Sequence, residues 1–472
     1  MLIQNLDSEF LKQDYLIVII GAGPAGISLA LELEKQKIKC LLIEAGSGEF
    51  SELSQDFYKG KVEGNYPKDL SLQRLRQFGG STGHWGGVCR PLDEYDYNTW
   101  PINKKNLDPY LEKACKILEI NQNNFNDKII NKDIKLIKFE LSPVNFFSKF
   151  YEKIIKSNYI YLSLNTTCLN FEINSSLVTS VICKNKLNQN VEIKSKFFVL
   201  ASGAIENCRI LKWTNTINNK NFLNNIPIGN YFMEHPYKKV GFIVGSKEDI
   251  RKFFSDNGKY TNLYNDNFTF APTEDFITKK KILNAGFFVR IRNTHKNIRE
   301  LICNDPGFGN NLVKFINNKK DLCGADIVSS WEQDPIFDNK IILDNLTDSF
   351  GIPRVKIVYK KTQVMKDTIR FILEDLGKYF IINKIGRVAI EEYLYNSDEY
   401  LSDAGYHHLG GTRMGNDINK SVVDKNLKVH NCRNLFICGS STFPTGGHAN
   451  PTLSIIQLSL RLSDFLNVNL NS

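Results

Sequence analysis

The stretch Tyr15–Glu44, YLIVIIGAGPAGISLALELEKQKIKCLLIE, decides the fold. Tyr15 to Ile20 is an unbroken apolar run rich in branched residues, the pattern of a central parallel strand covered on both faces. Gly21-Ala-Gly-Pro-Ala-Gly26 follows, and Ile27 to Gln36 then carries helix formers with apolar residues at helical spacing. Cys40 to Ile43 is a second short apolar run, closed by Glu44. Strand, glycine turn, helix, strand and acidic residue in this order make a βαβ dinucleotide unit. Gly21 permits the tight turn, Gly23 the close approach of a pyrophosphate, and Gly26 close helix packing, while the helix N-terminus faces the phosphate charge. Glu44 stands eighteen residues after Gly26, where its carboxylate can accept hydrogen bonds from ribose hydroxyls. The unit predicts an adenine dinucleotide. It does not separate FAD from NAD.

Working outward, the same strand–glycine–helix pattern returns twice. Phe197–Ala201 (FFVLA) leads into Ser202-Gly203 and a helical stretch from Ala204, and Asn434–Ile437 leads into Gly439. A last amphipathic helix, Leu453–Phe465, follows Pro451. One nucleotide-binding sheet assembled from discontinuous segments is the simplest arrangement. Between 236 and 400 the runs Val240–Val244, Phe287–Arg292 and Val355–Tyr359 suit an antiparallel sheet. The expected fold class is therefore α/β, Rossmann-like, with an α+β second domain. The expected division is 1–235 for nucleotide binding, with 100–160 partly peripheral, 236–405 for substrate, and 406–472 returning to the first domain. The Asn/Lys-rich stretch 121–135 reads as a surface loop.

Composition narrows the function classes. The 472 residues are 42% hydrophobic and carry a formal charge of +9 without a tight basic run, so nucleic acid is not an expected partner. No stretch approaches the roughly 20 apolar residues of a membrane helix. Asp7, Glu9 and Asp14 stand where a secretory signal would be positive, so a cytoplasmic chain is expected. The ten cysteines form no Cys-x-x-Cys pair, which points to reduced thiols and away from zinc or haem attachment.

Two further segments add the chemistry. The first is Phe78-Gly-Gly-Ser-Thr-Gly-His-Trp-Gly-Gly87, followed by Arg90-Pro-Leu-Asp93 and Trp100-Pro-Ile102. The second is Tyr406-His-His-Leu-Gly-Gly-Thr-Arg-Met-Gly415, continued by Asn434-Leu-Phe-Ile-Cys-Gly-Ser-Ser-Thr-Phe-Pro-Thr-Gly-Gly-His-Ala-Asn-Pro-Thr-Leu453. With the N-terminal fingerprint, these resemble the glucose–methanol–choline (GMC) oxidoreductases, FAD enzymes acting mostly on alcohols. Val199–Glu206, Ile228–Pro236 and Glu332–Pro353 extend the resemblance over almost the whole chain, in the family's order.

The resemblance implies an FAD held by the Rossmann-like domain with its ring facing the second domain's sheet. It maps the family's catalytic pair onto His407 and Asn450, with the hydride passing to flavin N5. The chemistry is consistent: imidazole suits proton transfer near neutrality, and a carboxamide can donate a hydrogen bond to a developing alkoxide. The implied cofactor contacts are Gly21, Gly23, Gly26, Glu44, Gly80, Ser81, His84, Ala201, Gly203, Gly439, Ser440, Pro451 and Thr452. His84-Trp85 matches the pair of the sugar-oxidising members, some of which bond that His covalently to the flavin, so attachment through His84 is weighed against packing on the ring. His408 stands where the family often carries Pro, and Tyr406 favours His407 as the base. Trp331 and His448 are weaker substrate candidates, set against core packing for the first and a supporting role for the second. Glu234-His235-Pro236 reads as a structural return into the second domain, and Asp344 and Asp348 as turn residues. No metal site is expected. The function implied is oxidation of a sugar hydroxyl to a carbonyl. The alternatives are a flavin-containing lyase acting on a cyanohydrin-like substrate and a non-catalytic flavoprotein partner. Neither the substrate nor the electron acceptor is legible.

Overall fold

Every residue of Ile17–Ile20 is buried, as a strand covered on both faces must be. The computed structural model describes residues 1–3, 6, 15–218, 223–246, 268–291, 322–396 and 404–471. Asp7, Glu9, Asp14, Cys303 and parts of the 236–405 region, Arg292 among them, lie outside the described residues. Four long helices are used below: α1 (Pro24–Lys35), α2 (Ala204–Ile217), α3 (Gln363–Ile382) and α4 (Thr452–Asn471).

Ile17–Ile20 pairs in parallel with Cys40–Ile43 on one side and Phe197–Leu200 on the other. Leu435–Ile437 extends the sheet beyond Phe197–Leu200, and Ile160–Ser163 followed by Leu2–Ile3 extends it beyond Cys40–Ile43, all in parallel. The three strands that precede glycine turns are thus neighbours at the sheet centre and one edge. All three turns emerge at the C-terminal ends of their strands, where an open α/β sheet places its ligand. Helix α1 packs between this sheet and α4. Gly21 adopts φ +107°, and a Cβ there would stand 2.6 Å from the carbonyl oxygen of Ala201. The first turn and the second glycine-ended strand touch backbone to backbone.

The second sheet is antiparallel, in the order Arg387–Ile390, Tyr237–Ser246, Leu322–Trp331, Ala285–Ile291, Phe268–Pro272, Ile134–Lys138, Lys128–Ile129. Helix α3 covers it, burying Met365, Ile369, Ile372, Leu376 and Phe380 at helical spacing against Phe270 and Phe287. The mixed α/β class is as expected, and two local readings are corrected. Lys128–Ile129, inside the stretch expected to be a loop, and Ile134–Lys138, which begins at its end, are strands; Ile134 and Leu136 enter the core beneath α3 and Ile137 is buried on the other face. Asp344 is not in a turn either: it sits in the strand Lys340–Thr347, which pairs with Pro353–Tyr359, while Asp348 accepts from the turn amides of Phe350 and Ile352. Pro353–Tyr359 joins Gly60–Gly64 in this separate three-stranded sheet.

Gly26 is where the helix closes on the strand. A Cβ there would lie 1.9 Å from the Gly21 carbonyl oxygen, which no side-chain rotation relieves. Gly26→Ala is expected to destabilise the fold by about 3 kcal/mol or more, the upper range of overpacking, measured as a drop in urea midpoint. An unchanged midpoint would mean that α1 does not approach the turn this closely.

Candidate active site

A cavity of about 480 Å³ opens along the C-terminal edge of the parallel sheet, large enough for a cofactor-sized ligand. It runs from Glu44 to the pair His407 and Asn450. Gly21, Gly23, Gly80, Ser81, His84 and Ala201 line it together with Glu44. So do Gly203, Gly439, Ser440, Pro451 and Thr452. Of the expected cofactor contacts, Gly26 alone stands back, behind Gly21.

Several features bear on what fills this space. Gly23 and Gly203 are the N-cap residues of α1 and α2 and offer no capping side chain, so first-turn N–H groups are left for an anion. A Cβ built on Gly23, Gly203 or Gly439 would meet no protein atom within 4 Å. The glycines leave open space where a side chain would intrude. Gly79 N–H donates to the Ala22 carbonyl at 2.8 Å, and a Cβ on Gly80 would stand 3.2 Å from Gly23 Cα, so the second glycine segment is laid directly on the first turn. Glu44 accepts from the N–H groups of Ala22 and Gly46, both at 2.8 Å. That fixes the carboxylate and leaves a second lone pair on each oxygen. An ADP-ribose-like arm fits this arrangement, with hydroxyls on Glu44 and phosphates on the helix starts.

At the other end, backbone pairing brings two distant segments together. Gly410, Thr412 and Met414 donate their N–H groups to the carbonyls of Ser440, Ser441 and Thr442 at 3.0, 3.0 and 2.8 Å, and Ser440 Oγ donates to the His408 carbonyl at 2.6 Å. This ladder carries His407 to Asn450, whose Nδ2 lies 3.0 Å from His407 Nε2. Tyr406, just before His407, holds φ at +58°, an uncommon left-handed conformation for an aromatic residue. Opposite, Met233 and Leu409 exchange backbone hydrogen bonds at 2.8 and 3.0 Å, and Gly405 N–H donates to the His235 carbonyl at 2.8 Å. The ring of His235 is thereby set against that of His407, Nδ1 to Nδ1 at 3.0 Å. Glu234, fully buried, accepts the backbone N–H of both histidines and the hydroxyl of Tyr66.

Burial dominates the electrostatics. It pushes the Glu234 carboxyl up to about 8 and holds His407 down to about 4. His408 is held down to about 3 by burial first, then by Arg74 and His407; its Nε2 lies 3.0 Å from Gln73 Oε1, away from Asn450. His448 and Trp331 are buried and are not among the residues lining the cavity. The ring of His448 packs against Phe139, and Trp331 belongs to the core beneath α3.

Some lining residues carry no sequence signal of their own. Arg74 Nη1 donates to Glu206 at 2.8 Å, and Arg209 bridges Glu206 to Asp348, a buried chain along the cavity floor. These partners are separated by 132 and 139 positions, and no local motif joins them. Glu234 and His235 were legible only as part of a structural return. Their approach to His407 depends on the Met233–Leu409 pairing.

Residues 335–459 match the family model described as GMC oxidoreductase. The chain is 26% identical over 290 residues to the fructose dehydrogenase large subunit of Gluconobacter japonicus, a match taking in 61% of this chain and 50% of that protein. It is 22% identical over 424 residues to pyranose 2-oxidase of Tricholoma matsutake, covering 82% of this chain and 72% of that one. Among solved structures, pyridoxine 4-oxidase from Mesorbium loti superposes with a TM-score of 0.59 at 12% identity, over 96% of this chain and 99% of that one. An FAD-dependent oxidoreductase from Chaetomium thermophilum does so at 0.62 and 12% identity, over 97% and 100%. At such identities the structural likeness speaks for the fold. No described helix is long and apolar enough to cross a membrane.

The buried histidines set an acid limit on stability. Each is neutral in the folded chain, with a folded pKa below the usual value near 6.5, so their contribution is complete above that value and is lost as pH falls through about 4. The loss is up to about 1.4 kcal/mol per pH unit for each histidine across that window. His408→Gln should therefore lose less stability than wild type between pH 7.5 and 5.0, read as urea midpoints. Equal losses in both proteins would show that His408 is not held neutral.

Proposed function

The chain belongs to the GMC oxidoreductase family, with FAD as its cofactor, and from that premise we propose that it oxidises a CH–OH group of a sugar or sugar derivative to a carbonyl. The observation that carries this reading is the 3.0 Å approach of Asn450 Nδ2 to His407 Nε2 on the wall of a cavity that also holds the dinucleotide fingerprint. Sugars are favoured as the substrate class by the names of two relatives, fructose dehydrogenase and pyranose 2-oxidase, and by the His84-Trp85 pair.

The chain's residues act on the hydroxyl. His407 is neutral at pH 7 because burial disfavours its cation, and the Asn450 amide nitrogen 3.0 Å from Nε2 calls for the lone pair there. The hydroxyl proton passes to Nε2 as the carbon–hydrogen bond breaks, which spares the site a free alkoxide. Asn450 cannot take the proton; its amide N–H, 3.0 Å from His407 Nε2 without substrate, gives up that lone pair to the substrate hydroxyl and donates to the substrate oxygen instead. Bound FAD supplies the acceptor for the hydride. Gly21, Gly23, Glu44, Gly80, Ser81, Gly203 and Gly439 would hold it, and His84, on the same cavity wall, is the candidate for a covalent link.

Anaerobic mixing with a panel of sugars should bleach the flavin absorbance. His407→Ala is expected to abolish that bleaching with FAD still bound, and Asn450→Ala to slow it by about 10²–10³-fold, the cost of losing one oxyanion donor. Full activity in His407→Ala would remove the assignment of the base. A substrate turned over without any bleaching would instead favour the lyase. Separately, a yellow pellet after acid precipitation, lost in His84→Ala, would establish the covalent bond; a colourless wild-type pellet would remove it.

A further inference from the structure

His407 has two ring nitrogens, and the proposed reaction uses only Nε2. For Nε2 to be bare in a neutral imidazole, Nδ1 must carry the proton and find an acceptor. Among the described residues, the groups about Nδ1 leave one choice. Glu234, the nearby carboxyl, accepts the backbone N–H groups of His407 and His235 on Oε1 and the Tyr66 hydroxyl on Oε2, and makes no hydrogen bond with the ring of His407. His408 is turned toward Gln73. What faces His407 Nδ1 is His235 Nδ1, at 3.0 Å with the two rings nearly perpendicular at 87°, so one nitrogen points edge-on at the other. Two N–H groups cannot face each other, so one of these nitrogens is bare.

The amide of Asn450 decides which. Its nitrogen faces His407 Nε2 and, as a donor, requires a lone pair there. The proton of His407 is then on Nδ1, the bare nitrogen of the His–His contact is Nδ1 of His235, and the proton of His235 is on Nε2. We propose that His235 is the positioning residue of the site, an acceptor that locks His407 in the tautomer whose Nε2 carries no proton and can take the substrate's. The inference rests on the reading of His407 as the base and adds a residue to it.

The placement of His235 is rigid. It is fully buried, its backbone N–H is held by Glu234 at 2.9 Å, its carbonyl accepts from Gly405, and Pro236 follows it. When His407 takes up the substrate's proton, its Nδ1–H becomes a stronger donor, so a neutral acceptor at 235 stabilises the cation more than the neutral ring. An apolar residue there makes His407 a weaker base and also leaves its tautomer unset.

The test has two arms. In the first, 15N NMR of histidine-labelled holoprotein, with His407 and His235 assigned by their loss in single variants, reads which nitrogens carry protons. A bare Nε2 on His407 together with a bare Nδ1 on His235 supports the proposal, and the opposite pattern overturns it whether or not any sugar is oxidised. In the second arm, His235→Asn, whose carboxamide oxygen can stand in for Nδ1, should stay within about fivefold of wild type. His235→Leu should reduce flavin about 10–100-fold more slowly, the range typical of removing a histidine's orienting partner. The acid limb of its pH profile should move to lower pH, which a packing defect alone would not do. Equal rates and unshifted limbs in both variants would overturn the proposal. If wild type reduces flavin with no alcohol, the redox reading fails separately, and the tautomer measurement still decides the role of His235.

Discussion

The site depends on a short run of backbone hydrogen bonds between residues 410–414 and 440–442. Side chains 43 positions apart meet only because these carbonyls and amides are in register. A slip of one position along this pairing would turn His408, not His407, toward Asn450. The two histidines line the same cavity with different partners: one faces the amide of Asn450, the other the side chain of Gln73. Adjacent identical side chains thus acquire different chemistry from main-chain register, held by Ser440 through its hydroxyl on the His408 carbonyl.

Burial then does what the sequence cannot advertise. An ionisable side chain withdrawn from water favours its neutral form, so the histidines go down and Glu234 goes up. The consequence for His407 is an unprotonated ring over the working range of pH. The consequence for Glu234 is a carboxyl whose main duty is to accept backbone N–H groups and so pin two histidines at once. Its partners are two main-chain amides and the Tyr66 hydroxyl, all neutral donors.

The cofactor half of the molecule was legible because its signals are local. A continuous apolar strand, a glycine turn and a helix fall within one stretch of chain, and the residues that line the cavity are the ones that this pattern names. Glycines at 23, 203 and 439 mark places where backbone must be left bare, a constraint that leaves a trace in sequence whatever the tertiary contacts. The alternation in Ile134–Lys138 was outweighed by its Asn- and Lys-rich surroundings, because nothing local shows that Lys135 is drawn in by Asp93 and Asp127. The Arg74–Glu206–Arg209–Asp348 chain and the His235–His407 contact were not legible at all. Apart from Glu206 and Arg209, three positions apart on α2, each is made by residues whose neighbours in sequence say nothing of their partners in space.

The two sheets divide the work unequally. His407 and Asn450 lie on segments tied to the parallel sheet, through the ladder to 440–442 and through Pro451 at the start of α4, which packs on α1. The groups proposed to handle the proton are therefore built on the same frame as the glycine turns that line the cavity. The antiparallel sheet reaches this constellation where Tyr237–Ser246 begins, through Glu234-His235-Pro236, and where Leu322–Trp331 ends, through Glu332 and Gln333, which accept the N–H groups of Gly447 and Glu234. The His235–His407 contact and the Met233–Leu409 pairing thus join the entry of the second sheet to the segment that carries His407.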